Sequence, residues 1–222
     1  MTDPKIFILD NTALIAPPLV PEVRLHLATE VVPLWRKTEE ELEKEGVPPP
    51  YWAFAWAGGQ ALSRYVLDHS NEVRGKTVLD FGSGSGLVAI AAHKAGAREI
   101  LAADIDAFAA AAIALNAAAN DAAVTITKED VIGREDAWDT ILVGDMCYER
   151  PLAERLLLWL TARVNAGARV LLGDPGRSYF PKSGVTKLAT YRVQTTRELE
   201  DREIRETSVY ALDAAAQAQG NE

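Results

Sequence analysis

The 222-residue sequence predicts an α/β fold, a mostly parallel sheet covered by helices on both faces and finished by an antiparallel hairpin. Three observations carry that prediction. The runs "TVLDF", "EILAAD", "TILVGD" and "RVLLGD" are apolar nearly throughout, as strands buried on both faces are. Helix-forming segments separate them, the order expected of strand–helix–strand units. Beyond Pro181 the pattern changes, and "KLATYRVQTTRELE" and "REIRETSVYAL" alternate apolar and polar residues around an acidic turn.

Taken in order, residues 1–20 mix apolar residues with Pro17 and Pro18 and read as a mostly irregular arm. In "EVRLHLA" (22–28), Val23, Leu25 and Leu27 fall on one side and Arg24 and His26 on the other, the period of a half-buried strand. In "TEEELEKEG", Thr38 and Glu41 have capping-box spacing and Gly46 is a stop, giving a short acidic helix over 38–46. Pro48–Pro50 forbid its continuation and lead into "YWAFAW" (51–56). "GGQALSRYVLDH" then forms a helix with an apolar stripe of Ala61, Leu62, Tyr65 and Val66. Strands are expected over 77–82, 99–104, 123–127, 139–145 and 168–173, with helices over 85–95, 106–120 and 149–164. The closing "AAAQAQGNE" is expected to fray. One domain suits this length. Residues 1–57 form an N-terminal extension and aromatic lead-in, 58–213 the domain proper, and 214–222 a tail.

Composition narrows the function. With 23 Lys and Arg against 32 Asp and Glu, the formal charge is −9, and no basic run overrides it. A nucleic-acid partner is therefore not expected, whereas a lysine-bearing protein suits such a surface. The lone Cys147 excludes an internal disulfide and a multi-cysteine zinc site, and His26, His69 and His93 lack metal-ligand spacing, so no metal is expected. "MTDPKIFILDN" has neither signal- nor transit-peptide character, and no apolar run approaches membrane-spanning length. The expectation is a cytoplasmic protein without a membrane partner.

The strand "VLDF" runs straight into "GSGSG", placing Gly82, Gly84 and Gly86 before a helix. Glycines there allow a sharp turn and close approach of a ligand, while the helix N-terminus offers N–H groups, so a nucleotide-like ligand is implied. The dinucleotide pattern G-x-G-x-x-G fails, because Leu87 stands in the third glycine's place. Asp104 closes the next strand about twenty residues on, where an acid accepts hydrogen bonds from ribose hydroxyls. Asp106 reads as a helix N-cap.

With Asp80 just before it, G-x-G-x-G resembles motif I of class I S-adenosylmethionine-dependent methyltransferases, a Rossmann-like seven-strand fold. Two further segments sharpen the resemblance. "VPPPYWAFAWAGGQAL" (47–62) is similar to the aromatic segment of the family 16 protein methyltransferases, and "GDMCYE" (144–149) carries their D-x-x-Y signature after the fourth strand. Together with "PLVPEVRLHLA", "PLW" (33–35) and "LLGDPGR" (171–177), the pattern over about residues 6–212 resembles the branch that methylates lysines of the electron transfer flavoprotein β subunit.

The resemblance implies S-adenosyl-L-methionine as cofactor and that β subunit as protein substrate. Asp80, Gly82, Ser83, Gly84 and Gly86 would shape the methionine end of the cofactor site, and Asp104 with Ile105 the ribose region. Asp130 and Val131, in "TKEDV", match the place where the adenine is read, although Asp130 also reads as an ordinary solvated acid. Trp56 would line the cofactor and lysine channel, with Gly58 and Gly59 permitting close approach of a ligand. Asp145 and Tyr148 would face the incoming amine. Ala57 stands where the family usually has proline.

Other readings stay open. Trp52 reads as core, Cys147 as a packed small residue, and Asp145 also as a cap of the helix after it. Arg177 reads either as the partner of a carboxylate or as a residue of the ligand-bearing edge. The runner-up activity is ribosomal-protein lysine methylation. A third reading is a non-catalytic cofactor-binding module that docks through the acidic helix. The absence of an Asn/Asp-Pro-Pro-Tyr sequence after strand four argues against amide and base amino groups as targets.

Overall fold

A computed structural model of the chain describes residues 3–28, 49–195 and 203–214. Its main sheet has seven strands in the order β5-β4-β3-β6-β7-β9-β8. They are β3 (Thr77–Phe81), β4 (Glu99–Ala103), β5 (Thr125–Thr127), β6 (Thr140–Gly144), β7 (Arg169–Asp174), β8 (Val185–Gln194) and β9 (Ile204–Leu212). The pairs from β5 through to β7 are parallel, and β9 pairs antiparallel with both β7 and β8. The chain runs outward from β3 first to one side and then, through β6, to the other. The crevice at the carboxyl ends of β3 and β6 is therefore the place where such sheets hold ligands.

Alternation along the buried strands divides the core in two. Val78, Leu142 and Leu171 point to the face covered by α2 (Ala57–Asp68), α3 (Leu87–Lys94) and Ile113 of α4 (Ala107–Ala119). Leu79, Ile141 and Leu172 point to the opposite face, where Leu156, Trp159 and Leu160 of α5 (Arg150–Asn165) cover them. The predicted strands and helices coincide with these elements to within two residues at almost every end. The acidic helix at 38–46, the hairpin turn and the tail from 215 lie outside the described residues.

The N-terminal arm differs from expectation. Residues Pro4–Asn11 form a helix, α1, with Asp3 accepting the N–H of Lys5 at 2.8 Å and Pro4 at the first helical position. Ala13–Ile15 (β1) pairs antiparallel with Leu25–Leu27 (β2). Pro17 and Pro18 lie in the connection between the two strands, so they limit β1 without preventing it. Ile8 packs with Trp52 and Ala109, and Val23, Leu25 and Leu27 pack on Leu87 and Ile90 of α3. Asn116 of α4 and Asn120 at its C-cap fasten this segment: Asn120 binds both backbone groups of Arg24, and Asn116 Oδ1 accepts the N–H of His26 at 2.7 Å. At the outer edge of the sheet, the β8–β9 ladder is interrupted by a bulge between Lys187 and Ala189.

The first turn of α2 lies directly on the ends of β6 and β7. A Cβ on Gly58 would sit 2.2 Å from the Gly173 carbonyl oxygen and 2.5 Å from Asp145 Oδ2, so only glycine fits there. The expected close approach at this glycine is thus to the sheet, not to a ligand. A Cβ on Gly59 would meet only Val88 Cγ2, at 3.9 Å. Neighbouring substitutions should therefore have opposite signs. Gly58→Ala should destabilise by about 2 kcal/mol or more through overpacking, and Gly59→Ala should be neutral or stabilising by up to about 1 kcal/mol, as read by urea unfolding.

Candidate functional site

A cleft of about 500 Å³ opens at the carboxyl ends of β3, β4 and β6. Its floor is the glycine loop. Gly82, Gly84 and Gly86 all have positive φ (63°, 53° and 82°), and a Cβ on Gly82 would lie 2.4 Å from Met146 Sδ. The positive φ angles favour glycine throughout the loop, and a side chain at Gly82 would also oblige the flexible Met146 side chain to move.

Two carboxylates hold this loop. Asp80, 1% exposed, receives the Ser83 hydroxyl at 2.5 Å and the Ala89 N–H of α3 at 3.0 Å. Burial pushes its carboxyl up to about 7 despite those donors. Asp104 Oδ2 accepts the N–H of Gly84 at 2.8 Å, and Oδ1 that of Asp106 at 3.0 Å. Burial raises its pKa too, against the pull of both N–H groups. Asp106 caps α4 through the N–H of Phe108, as expected.

The cleft brings together Trp56, Gly82, Gly84, Asp104, Ile105, Asp130, Val131, Asp145 and Tyr148 from the predicted set. Asp80 and Ser83 instead line a smaller cavity beneath the loop, of about 40 Å³, which also touches Trp56 and Asp145. Gly86 heads α3 in the left-handed region, φ 82°, which favours glycine whatever the space beside it; an added Cβ would make only ordinary contact with Ile113 at 3.4 Å. Asp130 is exposed and engaged, its Oδ1 by the N–H of Ile132 and its Oδ2 by Arg155 of α5. Ile105 stands at the rim, 76% exposed, while Val131 is buried across the cleft.

At the other end stands Asp145, in the left-handed region with φ 57°. Few non-glycine residues adopt this conformation, and those that do gather at functional sites. Its Oδ2 accepts the N–H of Gly59 at 3.0 Å, in the first turn of α2. It therefore caps a helix, but the one before it in sequence; α5 begins from Glu149, without a side-chain cap. Its Oδ1 accepts Arg177 Nη2 at 2.7 Å and Nε at 3.1 Å. Arg177 also lies over the Trp56 ring, 5.7 Å from its centre. The two readings of Arg177 are thus both realised, since it pairs with a carboxylate at the ligand-bearing edge.

Three rings complete that end. Tyr51 lies 6.0 Å from Trp56 and 5.8 Å from Tyr148 between ring centres, and the Trp56 indole N–H donates to the Tyr51 carbonyl at 2.9 Å. Burial raises the phenol pKa of Tyr148, and Cys147, 3% exposed, has its thiol pushed up to about 12. Neither group is a base or a thiolate near neutral pH.

Comparison with known proteins bears on this arrangement. Residues 60–144, the sheet half that carries the glycine loop, match the family model described as ribosomal protein L11 methyltransferase (PrmA). Over 219 residues the chain is 41% identical to the electron transfer flavoprotein beta subunit lysine methyltransferase of Xenopus laevis, covering 96% of this chain and 88% of that protein. The chain belongs to the electron transfer flavoprotein beta subunit lysine methyltransferase family. Solved structures agree on the fold. A putative RNA methyltransferase from Pyrococcus horikoshii aligns with TM-score 0.58 at 14% identity, over 82% of this chain and 98% of that one. Magnesium protoporphyrin IX methyltransferase from Synechocystis, with bound SAM, aligns with TM-score 0.52 at 20% identity, over 70% and 79%.

Tyr51 and Met146 line the cleft as well, beyond the site residues expected from the sequence. Tyr51 directly precedes Trp52 in the aromatic run, one position out of phase with the alternating Trp52, Phe54 and Trp56. Met146 lies inside the D-x-x-Y motif, and only the loop geometry reveals that it covers Gly82.

The Asp80 shift has a signed consequence. Its folded pKa exceeds the ordinary carboxylate value, so between about pH 4 and about pH 7 the folded state binds more protons than the unfolded one, and stability falls as pH rises. The cost is absent below that window and complete above it, reaching up to about 4 kcal/mol. Asp80→Asn should remove this component, giving a flatter stability–pH curve in urea unfolding.

Proposed function

We propose that the chain is an S-adenosylmethionine-dependent protein-lysine N-methyltransferase that modifies the β subunit of electron transfer flavoprotein in the cytoplasm. The observation that carries this reading is the pairing of a glycine-and-carboxylate floor with an Asp145–Tyr148 wall in one cleft. A reducing compartment fits the lone buried Cys147, and among the described residues no helix is long and apolar enough to cross a membrane.

The residues fit the cofactor. The volume suits a small-molecule site, and the missing side chains at Gly82 and Gly84 let a ligand lie against backbone. Each Asp104 oxygen can accept a further hydrogen bond from a ribose hydroxyl. Ile105 and Val131 offer apolar surfaces for a flat base, with Asp130 beside them. When bound, S-adenosylmethionine supplies an electrophilic methyl group on a sulfonium. Asp80 and Ser83 work from beneath, holding the loop through its backbone.

The protein's own task is to present a neutral amine. Lysine has a reference pKa of about 10.4, so deprotonation near pH 7.4 costs about 4 kcal/mol. Asp145 accepts hydrogen bonds from the amine and fixes its direction. Tyr148 keeps its proton and narrows the slot with its ring, and Trp56 and Tyr51 exclude water on the remaining side. Cys147, held as a thiol, does not compete as a nucleophile. The likeness to ribosomal protein L11 methyltransferases spans only the cofactor-bearing half, so it does not favour the ribosomal substrate.

Asp145→Ala should keep cofactor affinity within a few-fold while abolishing most methyl transfer, and Tyr148→Phe should be milder because the ring remains. The test is transfer of labelled methyl to the purified flavoprotein β subunit, with cofactor titration in parallel. An Asp145→Ala enzyme at near wild-type rate would remove this wall from the mechanism. Asp104→Ala should weaken cofactor binding about tenfold or more. Because the chain carries net charge −9 and its target is a lysine, kcat/KM should fall from low to physiological salt.

A further inference from the structure

Resting on the lysine reading above, Arg177 addresses a difficulty in it. A bare carboxylate beside an amine favours the charged ammonium, which cannot attack, and raises its pKa by about 1–3 units. Asp145 is not bare. Its Oδ1 is gripped by two guanidinium nitrogens of Arg177, at 2.7 and 3.1 Å, and the pair is largely buried, with side-chain exposures of 18% and 9%.

The guanidinium is held from both sides of the sequence. Its plane rests over Trp56, 5.7 Å from the ring centre. Its backbone is fixed by Asp174 at the end of β7, whose Oδ1 accepts the N–H groups of Gly176 at 2.6 Å and Arg177 at 2.7 Å. Among the described residues, the other titratable groups facing Asp145 are Asp174 from β7 and Cys147 and Tyr148 on its own loop, with Tyr51 and Asp104 across the cleft. From α2 the backbone N–H of Gly59 reaches it. Arg177 is the cation among them, and an arginine keeps its charge at every pH an enzyme assay can reach.

We propose that Arg177 is a positioning residue that neutralises Asp145, so that the carboxylate orients the substrate amine without holding it as the unreactive ammonium. The pair presents a directional acceptor with almost no net charge, and the guanidinium's own field disfavours a second cation beside it. Asp145 then supplies geometry, and Arg177 sets the ionisation of the amine.

The experiment is kcat at saturating flavoprotein β subunit and saturating cofactor, which reports the ionisation of the bound amine, from about pH 7 to about pH 10, for wild type, Arg177→Gln, Arg177→Lys and Asp145→Asn. In Arg177→Gln the rising limb should move up by about one unit or more. The loss is then about tenfold near pH 7 and shrinks toward wild type at the alkaline end, with KM unchanged or lower and cofactor affinity within a few-fold. Arg177→Lys, which keeps the charge but loses the second nitrogen contact and the ring contact, should lower the rate while holding the rising limb nearer to its wild-type position than Arg177→Gln does. In Asp145→Asn, which leaves the guanidinium uncompensated, the residual activity should rise at lower pH than in wild type, and this arm decides the matter if Arg177→Gln does not fold. A loss of the same factor at every pH, or an unshifted limb in either variant, would overturn the role of Arg177 while leaving the proposed function standing. Absence of wild-type turnover on the β subunit would overturn both.

Discussion

The contact on which the site depends is the seating of the first turn of α2 on the carboxyl ends of β6 and β7. Added Cβ atoms at Gly58 and Gly173 would each lie 2.2 Å from the other residue's carbonyl oxygen, and one at Gly144 would lie 3.1 Å from the backbone of Gly59. No side chain separates helix from sheet at this point. That closeness brings the Gly59 N–H within reach of Asp145, and it sets Trp56, the residue before the helix, at the cleft wall where Arg177 rests on it. A bulkier residue at the contact would move the indole, the carboxylate and the guanidinium together.

The glycine loop is organised on a related plan, with carboxylates holding backbone N–H groups in place of side-chain packing. Asp80 works below the loop and Asp104 above it, each binding two donors. Both acids are largely removed from water, and burial raises the pKa of each. Such groups hold their partners firmly because a buried acceptor without a donor is costly. These bonds fix the loop backbone through the protein's own groups, which lessens the ordering a ligand must impose.

Much of this was legible in the sequence because it is local. Apolar strands, the glycine run into a helix and the D-x-x-Y spacing each fall within a few consecutive residues, and the sheet follows from their alternation. The Asp145–Arg177 pair was not legible in the same way. It joins residues 32 apart that meet because β6 and β7 are neighbours, and either acid near Arg177 would have seemed a plausible partner. At Gly58 and Gly59 a glycine pair says that something comes close without saying what, and at Gly58 that neighbour is the sheet. The N-terminal helix was obscured by Pro17 and Pro18, since the signals for it, Asp3 and Pro4, occupy only the first positions of a short segment with little amphipathic pattern.

The asparagines of α4 and its C-cap have a consequence for how the chain is made. Asn116 binds His26, 90 positions earlier, and also donates to the Ser85 carbonyl inside the glycine loop at 2.8 Å. The strand β2 and the loop are therefore completed by the same amide. As the chain leaves the ribosome, Val23, Leu25 and Leu27 emerge well before the helix that will cover and fasten them, and the glycine loop waits for the same residue. Docking of the N-terminal segment is therefore postponed until α4 arrives, and Val23, Leu25 and Leu27 stay without their folded-state cover through that interval.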